Sequence, residues 1–420
     1  MRHPLRRSLL SLIATVLSLA ALAGAVHAQT PLPEVRVSAA NIPDYEFDTA
    51  RNGVYCAACN FGAGNSRFAF TDVTGNTWIG SIDFNTGDFY PPDGKGVLLD
   101  SNSALTTDFG NGPEWMTFGN ESQVVFTRYL LGQPKEPATA ELAWSRMFNG
   151  SWSTASVPES VGSAAPSGSL DGDGSVPRIH YRSAKSNSLF FWRSMDQPAI
   201  EMRIPTKRTD AAARRWVSGT RKVIYLGQPD DGTNLLFDQV FLYDTDSGQR
   251  EQLTFEQVTK TGATMWRAPE FNNEYVFLTM SEQRTKVLIY RQLTGADGSL
   301  RWTVVKTITG PASLPYFWSP EVFTHNGRSY VFFQVSAFQS FTDRKNPNQL
   351  AISGIDPLRV DFRMLTNDSQ RPRLRLDPEF FITARGPYIY YNRAVPETDT
   401  NPAVNEGVWR VDTRLGPRRQ

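Results

Sequence analysis

A Pro-Glu pair occurs four times ahead of the same pattern, at Pro113-Glu114, Pro269-Glu270, Pro320-Glu321 and Pro378-Glu379. Each copy opens a short apolar run, crosses a polar turn and enters a run of β-branched and aromatic residues, as in PEVFTHNGRSYVFFQVS and PEFFITARGPYIYYNR. Period-two alternation around a turn encodes an antiparallel strand pair. A pair repeated at such intervals marks an array of small units, each burying its apolar face against its neighbours.

Before these units, Arg2, Arg6 and Arg7 precede an apolar run from Leu9 to about Ala25, with small residues up to Ala28. A cationic start, an apolar stretch and a small-residue end predict a cleavable signal peptide over residues 1–28, and export to the periplasm or beyond. An uncleaved anchor is the alternative, disfavoured because no charged stop follows the run. Arg6-Arg7-Ser8-Leu9-Leu10 leaves the twin-arginine and general routes both open.

Removing that segment from the 420 residues leaves 392, read as one domain over 29–420. The balance of 43 basic against 42 acidic side chains lacks the broad positive surface that neutralises phosphates, so nucleic acid is not an expected partner. No second apolar run approaches membrane-spanning length, and no membrane insertion is expected once the signal is removed.

The cysteines are Cys56 and Cys59, in Tyr-Cys-Ala-Ala-Cys-Asn. In an oxidising compartment two neighbouring thiols pair, here across a local turn, because a straight strand would separate their Cα atoms by about 10 Å. A redox pair would need a helix start, and zinc would need ligands that His180 and His325 are not spaced to supply. No metal or cofactor is therefore expected. Asp171-Gly172-Asp173-Gly174 reads as a Gly-Asp turn, with a structural calcium as the alternative.

Helical period is nearly absent; the best helical stretch is Thr209–Trp216. First strands are expected near Cys56, Glu114, Arg178, Arg215, Glu270, Glu321 and Glu379, which makes seven units of about 56 residues each. Third strands follow at 77–83, 240–244 and 408–412. Four short strands per unit describe a propeller blade. The last unit ends after its third strand, and Val35-Arg36-Val37-Ser38 is available to complete it and remove an exposed edge. The expected fold is all-β, a seven-bladed β-propeller closed by an N-terminal strand; six blades is the alternative, since the interval from Arg178 to Arg215 is short.

Gln239-Val240-Phe241-Leu242-Tyr243-Asp244 through Ser247-Gly248 to Gln252-Leu253-Thr254 resembles the blade repeat of TolB-like periplasmic propellers. Ser319-Pro320-Glu321-Val322-Phe323 through Tyr330-Val331-Phe332-Phe333, and Asp377-Pro378-Glu379-Phe380, resemble blades of arabinanase-like and furanosidase-like glycosidases. The first resemblance implies a scaffold for a protein partner. The second implies that Asp377 stands at the general-base position and a Glu of another blade at the acid position.

First strands of a propeller line its channel, so the unit starts form a ring holding Glu114, Arg178, Arg215, Glu270, Glu321 and Glu379. Two readings stand side by side: Pro-Glu starts strands and caps backbone N–H groups of the next blade, or crowded carboxylates split into a proton-holding acid and an ionised base, as glycoside hydrolysis requires. On the second reading Glu270, Glu321, Glu379 and Asp377 are the hydrolytic candidates. Arg178, His180 and Arg182 share a strand face beside Tyr181. Cations there would neutralise a uronate while His180 or Tyr181 moves a proton, the equipment of a polysaccharide lyase; a packed histidine is the alternative. Basic residues in 203–222 and at Arg371, Arg373 and Arg375 would attract an anionic ligand to the mouth. Trp115, Trp192, Trp216, Trp266 and Trp318 lie near blade openings, where they either stack on sugars or pack between blades. His325, in a tight turn, is expected in solvent. The expected function is action on a carbohydrate, acidic polysaccharides included, by hydrolysis or elimination; Arg178, Arg182, Arg215, Glu114, Trp115 and Trp216 hold the substrate. The alternative is a non-catalytic periplasmic scaffold.

Overall fold

The computed structural model describes residues 33–48, 66–118, 121–169, 176–186, 189–202, 214–229, 237–340, 344–367 and 371–417. Cys56, Cys59 and the 171–174 turn lie outside them, as does residues 203–213 of the basic stretch.

An N-terminal strand, β1 (Glu34–Ser38), precedes the first blade, which contains β2 (Glu46–Phe47), β3 (Arg67–Thr71), β4 (Thr77–Ile82), β5 (Phe89–Tyr90) and β6 (Val97–Asp100), the last also paired with β4. Blade 2 is β7 (Glu114–Phe118), β8 (Glu121–Tyr129), β9 (Ala140–Phe148) and β10 (Ser151–Ser156), entered through a short helix, α1 (Thr106–Phe109). Blade 3 is β11 (Ser163–Gly168), β12 (Arg178–Ser183), β13 (Phe190–Ser194) and β14 (Ile200–Met202). Blade 4 is β15 (Arg215–Val217), β16 (Lys222–Gly227), β17 (Gln239–Asp244) and β18 (Arg250–Gln252). Blade 5 is β19 (Thr261–Ala268), β20 (Glu274–Ser281), β21 (Lys286–Thr294) and β22 (Leu300–Thr309). Blade 6 is β23 (Tyr316–His325), β24 (Arg328–Ser336), β25 (Gln349–Gly354) and β26 (Arg363–Met364). Blade 7 is β27 (Leu374–Thr383), β28 (Gly386–Val395) and β29 (Val404–Asp412), completed by β1, which pairs antiparallel with β29.

The first strand of each blade touches that of the next in the order β2, β7, β11, β15, β19, β23, β27 and back to β2. That circuit closes a seven-bladed propeller; the six-blade alternative is not realised. The core lies between blades, where second and third strands present Val, Ile, Leu and Phe: Val276, Leu278, Phe332 and Ile389 are all fully buried. Such strands, apolar on both faces, suit a sheet packed on both sides.

Ring closure rests on charge as well as on backbone pairing. Glu34 of β1 accepts two bonds from the fully buried Arg375 of β27, at 2.6 and 3.1 Å, and one from the Tyr391 hydroxyl. Burial pushes the Glu34 carboxyl up, but Arg375, Tyr391 and Arg393 outweigh it and hold the group below the usual carboxylate range.

Several expectations need correction. The first strand of blade 1 is Glu46–Phe47, not a segment near Cys56. Arg178 opens the second strand of blade 3, whose first strand is β11, and Glu270 follows the end of β19 in a 3-10 turn over Pro269–Phe271. Arg215 and Trp216 form a strand, not the end of a helix. His325 is 2% exposed, with Nε2 at 2.9 Å from the Gly416 carbonyl oxygen.

Candidate functional site

One register position repeats around the channel. The pairs Glu46↔Ala69, Glu114↔Val125, Ser167↔His180, Arg215↔Ile224, Thr264↔Leu278, Glu321↔Phe332 and Glu379↔Tyr390 each join the first two strands of a blade at the same step. In five blades the residue two places earlier has positive φ: Asp44, Ala165, Gly262, Ser319 and Asp377, at 50°, 51°, 65°, 42° and 51°. In blades 3, 5, 6 and 7 the ladder also slips there, the mark of a β-bulge. Proline precedes the ring residue at Pro113, Pro166, Pro320 and Pro378. Its missing N–H is harmless where pairing is already broken. Three of the four Pro-Glu pairs therefore stand in register. The fourth does not: Glu270 accepts bonds from Ser329 N and, at 2.9 Å, Ser329 Oγ of the next blade, which is the capping role.

The ring thus carries Glu46, Glu114, Glu321 and Glu379 with Arg215, and the positive-φ positions before it add Asp44 and Asp377. Arg215 Nη2 lies 2.6 Å from Glu321 Oε1 across the channel from blade 4 to blade 6. Asp44, Glu46, Glu114 and Asp377 are part-buried and Glu379 is buried. Burial pushes the Glu114 carboxyl up to about 8, opposed by Arg215 and assisted by Asp44 and Glu321. Burial, then Glu114, Glu321 and Asp377, drives Glu46 well above the carboxylate range. Asp377 and Glu379 are raised well above it by burial and then by the acids around them. Asp44 is raised by burial, against bonds from Thr106 Oγ1 at 2.7 Å and Gly112 N. Tyr45, between Asp44 and Glu46, is fully buried with a hydroxyl that has no partner.

A cavity of about 480 Å³ opens beside this ring between blades 7 and 1, walled by Asp44, Asp377, Arg344, Asn405 and Asn392 among others. Asn392 is 6% exposed, and its Oδ1 has no partner. The volume suits a small organic ligand. Among the described residues no group of three or more His, Cys, Asp or Glu side chains is arranged to hold a metal ion.

The remaining sequence candidates fall elsewhere. Arg178 bonds Asp246 at 2.8 Å and Thr245 Oγ1, tying blade 3 to a turn of blade 4. His180 is 2% exposed and stacks on Trp216 with centroids 5.6 Å apart, and Tyr181 stacks on Phe191. Burial, and then Arg214, pushes the His180 imidazole well below its ordinary value. Trp115 and Trp216 are inter-blade staples: their indole N–H groups donate to the carbonyls of the preceding blade's ring residues, Glu46 at 2.8 Å and Ser167 at 2.9 Å. Trp266 donates to Ser329 Oγ at 3.1 Å, Trp192 is buried, and Arg284 covers the Trp318 ring at 3.9 Å. Arg373 pairs with Glu406 and Arg375 with Glu34, so neither adds to the mouth.

Asp44, Tyr45, Glu46 and Asn392 escaped the sequence reading. A signal was present: Asp44-Tyr45-Glu46 and Asp377-Pro378-Glu379 share an Asp-x-Glu spacing.

The fold and ring define a β-propeller with an acidic axial site. No family model and no curated protein matches the chain. It is similar to solved propeller-like structures at low identity. A hypothetical selenium-binding protein from Sulfolobus tokodaii matches at 8% identity and TM-score 0.46, over 83% of this chain and 89% of that one. A putative 6-phosphogluconolactonase from Bacteroides fragilis matches at 9% and 0.39, over 83% and 92%. A putative TolB from Agrobacterium tumefaciens matches at 15% and 0.33, over 55% and 78%. Similarity at this level bears on neither substrate nor chemistry.

Proposed function

We propose that this is an exported propeller that hydrolyses a carbohydrate at the channel ring. The observation that carries the reading is the split within one cluster. Burial and the acids around them raise Glu379 and Asp377 well above the carboxylate range, while Glu321 stands in an ion pair with Arg215. A glycosidic bond needs both partners: an acid to protonate the departing oxygen, and a carboxylate to take a proton from attacking water. A sugar in the cavity would meet Asp44 and Asp377 at its wall, with Glu321 close enough to Asp377 for their charges to interact. Elimination chemistry at His180 and Tyr181 loses its support, because both rings are packed inside the blade walls.

The test is release of reducing ends from neutral and acidic polysaccharides by the purified protein. Glu379→Gln and Glu321→Gln should each lower turnover on the order of 100-fold or more while leaving the fold intact. Silence of the wild-type protein across the panel would overturn hydrolysis and move the weight to a non-catalytic scaffold. An unsaturated product without new water-derived reducing ends would move it to a lyase.

A further inference from the structure

Where blade 3 meets blade 4, buried donors collect without acceptors. Arg214 is 9% exposed, its guanidinium lies 3.9 Å from the Phe190 ring centroid, and neither Nε nor Nη1 has a hydrogen-bond partner. Arg182, 7% exposed, stands opposite Phe190 in register, the ring on which Arg214 lies, and it donates to neutral groups, the carbonyls of Phe109 and Ser183. His180 presents two ring nitrogens without partners, and Trp192, opposite it in register, has a partnerless Nε1. No carboxylate of the described residues pairs with either arginine.

Two buried guanidinium groups in one place are unfavourable unless something negative joins them, since leaving a buried charge uncompensated costs several kcal/mol. Elsewhere this chain answers such cations with acids: Arg375 has Glu34, and Arg128 has Asp100 and Glu141. Arg193, 3% exposed, is answered by the Pro158 and Ser194 carbonyls instead, whereas Arg214 has no such bond at Nε or Nη1 and lies one residue from the channel ring, immediately before Arg215. Burial pushes the Arg214 guanidinium down to about 9, which leaves it cationic at neutral pH. A planar fork with free N–H groups matches two oxygens of a carboxylate or phosphate.

We infer that Arg214 and Arg182, with Trp192 Nε1 beside them, form a subsite for one anionic group, a carboxylate or a phosphate carried by the ligand. The inference deepens the carbohydrate reading, on which it rests, by naming an acidic glycan as the class bound, with its anionic unit at the seam of blades 3 and 4 and a different unit at the cavity between blades 7 and 1. It also moves the anion contact from Arg178, which Asp246 already occupies, to Arg214.

Isothermal titration and thermal melts with glucuronate, glucose 1-phosphate and glucose, at constant ionic strength, test it without any turnover. Saturable binding of either anion, absent with glucose and weakened tenfold or more in both Arg214→Gln and Arg182→Gln, is the expected result; the anion that binds identifies the group. No saturable anion binding by the wild-type protein, or binding unchanged in the two variants, overturns it. If the variants do not fold, a saturating rise in wild-type Tm with the anion but not with glucose takes their place. Glu321→Gln should still bind the anion. Anion binding with no hydrolysis of any polysaccharide would therefore sink the hydrolytic reading alone.

Discussion

Glu114 shows how the ring couples chemistry to stability. Its carboxyl is pushed up to about 8 in the folded protein, whereas an unfolded glutamate titrates near 4.3. The folded state therefore holds the proton more tightly. Stability from this group is fully present below the unfolded value and is lost as pH rises through about 8. Denaturant midpoints measured from pH 5 to pH 8 should fall with rising pH. Glu114→Gln should flatten that fall by roughly one proton's worth, about 1.4 kcal/mol per pH unit. An unchanged slope in the variant would show that Glu114 ionises normally. Glu46, Asp377 and Glu379 are displaced in the same direction, so a residual slope in the variant belongs to them.

First strands hold both the ring and the seams. Trp115 and Trp216 each follow a ring residue and staple it to the carbonyl of the previous ring residue. Removing the whole side chain, Trp115→Ala or Trp216→Ala, should cost about 3–5 kcal/mol, while Trp→Phe should cost much less, since it loses one hydrogen bond of about 1 kcal/mol and part of the ring. Chemical denaturation separates the two cases. Between blades 2 and 3 the equivalent position is Gly168, where an added Cβ would collide with Cβ of Met116 and stand 2.8 Å from the Trp115 carbonyl oxygen. Gly168→Ala should therefore destabilise this seam by an amount that Trp→Phe does not reach. The Asp-x-Glu segments belong to this scale too, because Asp44 and Asp377, each with positive φ, put a second acid two residues before the ring position, at the cavity wall.

Closure is a property of the whole molecule. β1 caps the last blade, and Glu34 is the anionic partner of Arg375, which is fully buried. Arg375→Gln or Glu34→Gln should destabilise by about 3–5 kcal/mol, because Glu34→Gln takes the bidentate carboxylate from the fully buried Arg375 and Arg375→Gln leaves Glu34 with the longer pair to Arg393 at 3.6 Å. Replacing both residues with apolar ones should recover much of that loss in thermal melts. Truncation before Ala39 should expose the β29 edge and produce oligomers on size-exclusion chromatography, as an unpaired strand edge recruits another chain.

Strand content, the third strands at 77–83, 240–244 and 408–412, the blade count and the closing role of Val35–Ser38 were all legible in the chain, because alternation and turn residues act over a few neighbours. Legible too were Glu114, Arg215, Glu321 and Glu379 as ring members, since Pro and strand pattern flag them locally. Register around the axis was not. Pro269-Glu270 reads like its three counterparts but falls at the other end of its strand, and Arg178-Ile179-His180 reads like a blade opening although Ser163–Gly168, weak in β-branched residues, takes that place. What a carboxylate faces depends on blades hundreds of residues apart in the chain. Only the closed ring brings Asp44 and Glu46 beside Asp377 and Glu379, displaces their proton affinities together, and leaves Arg214 buried with Nε and Nη1 unpartnered.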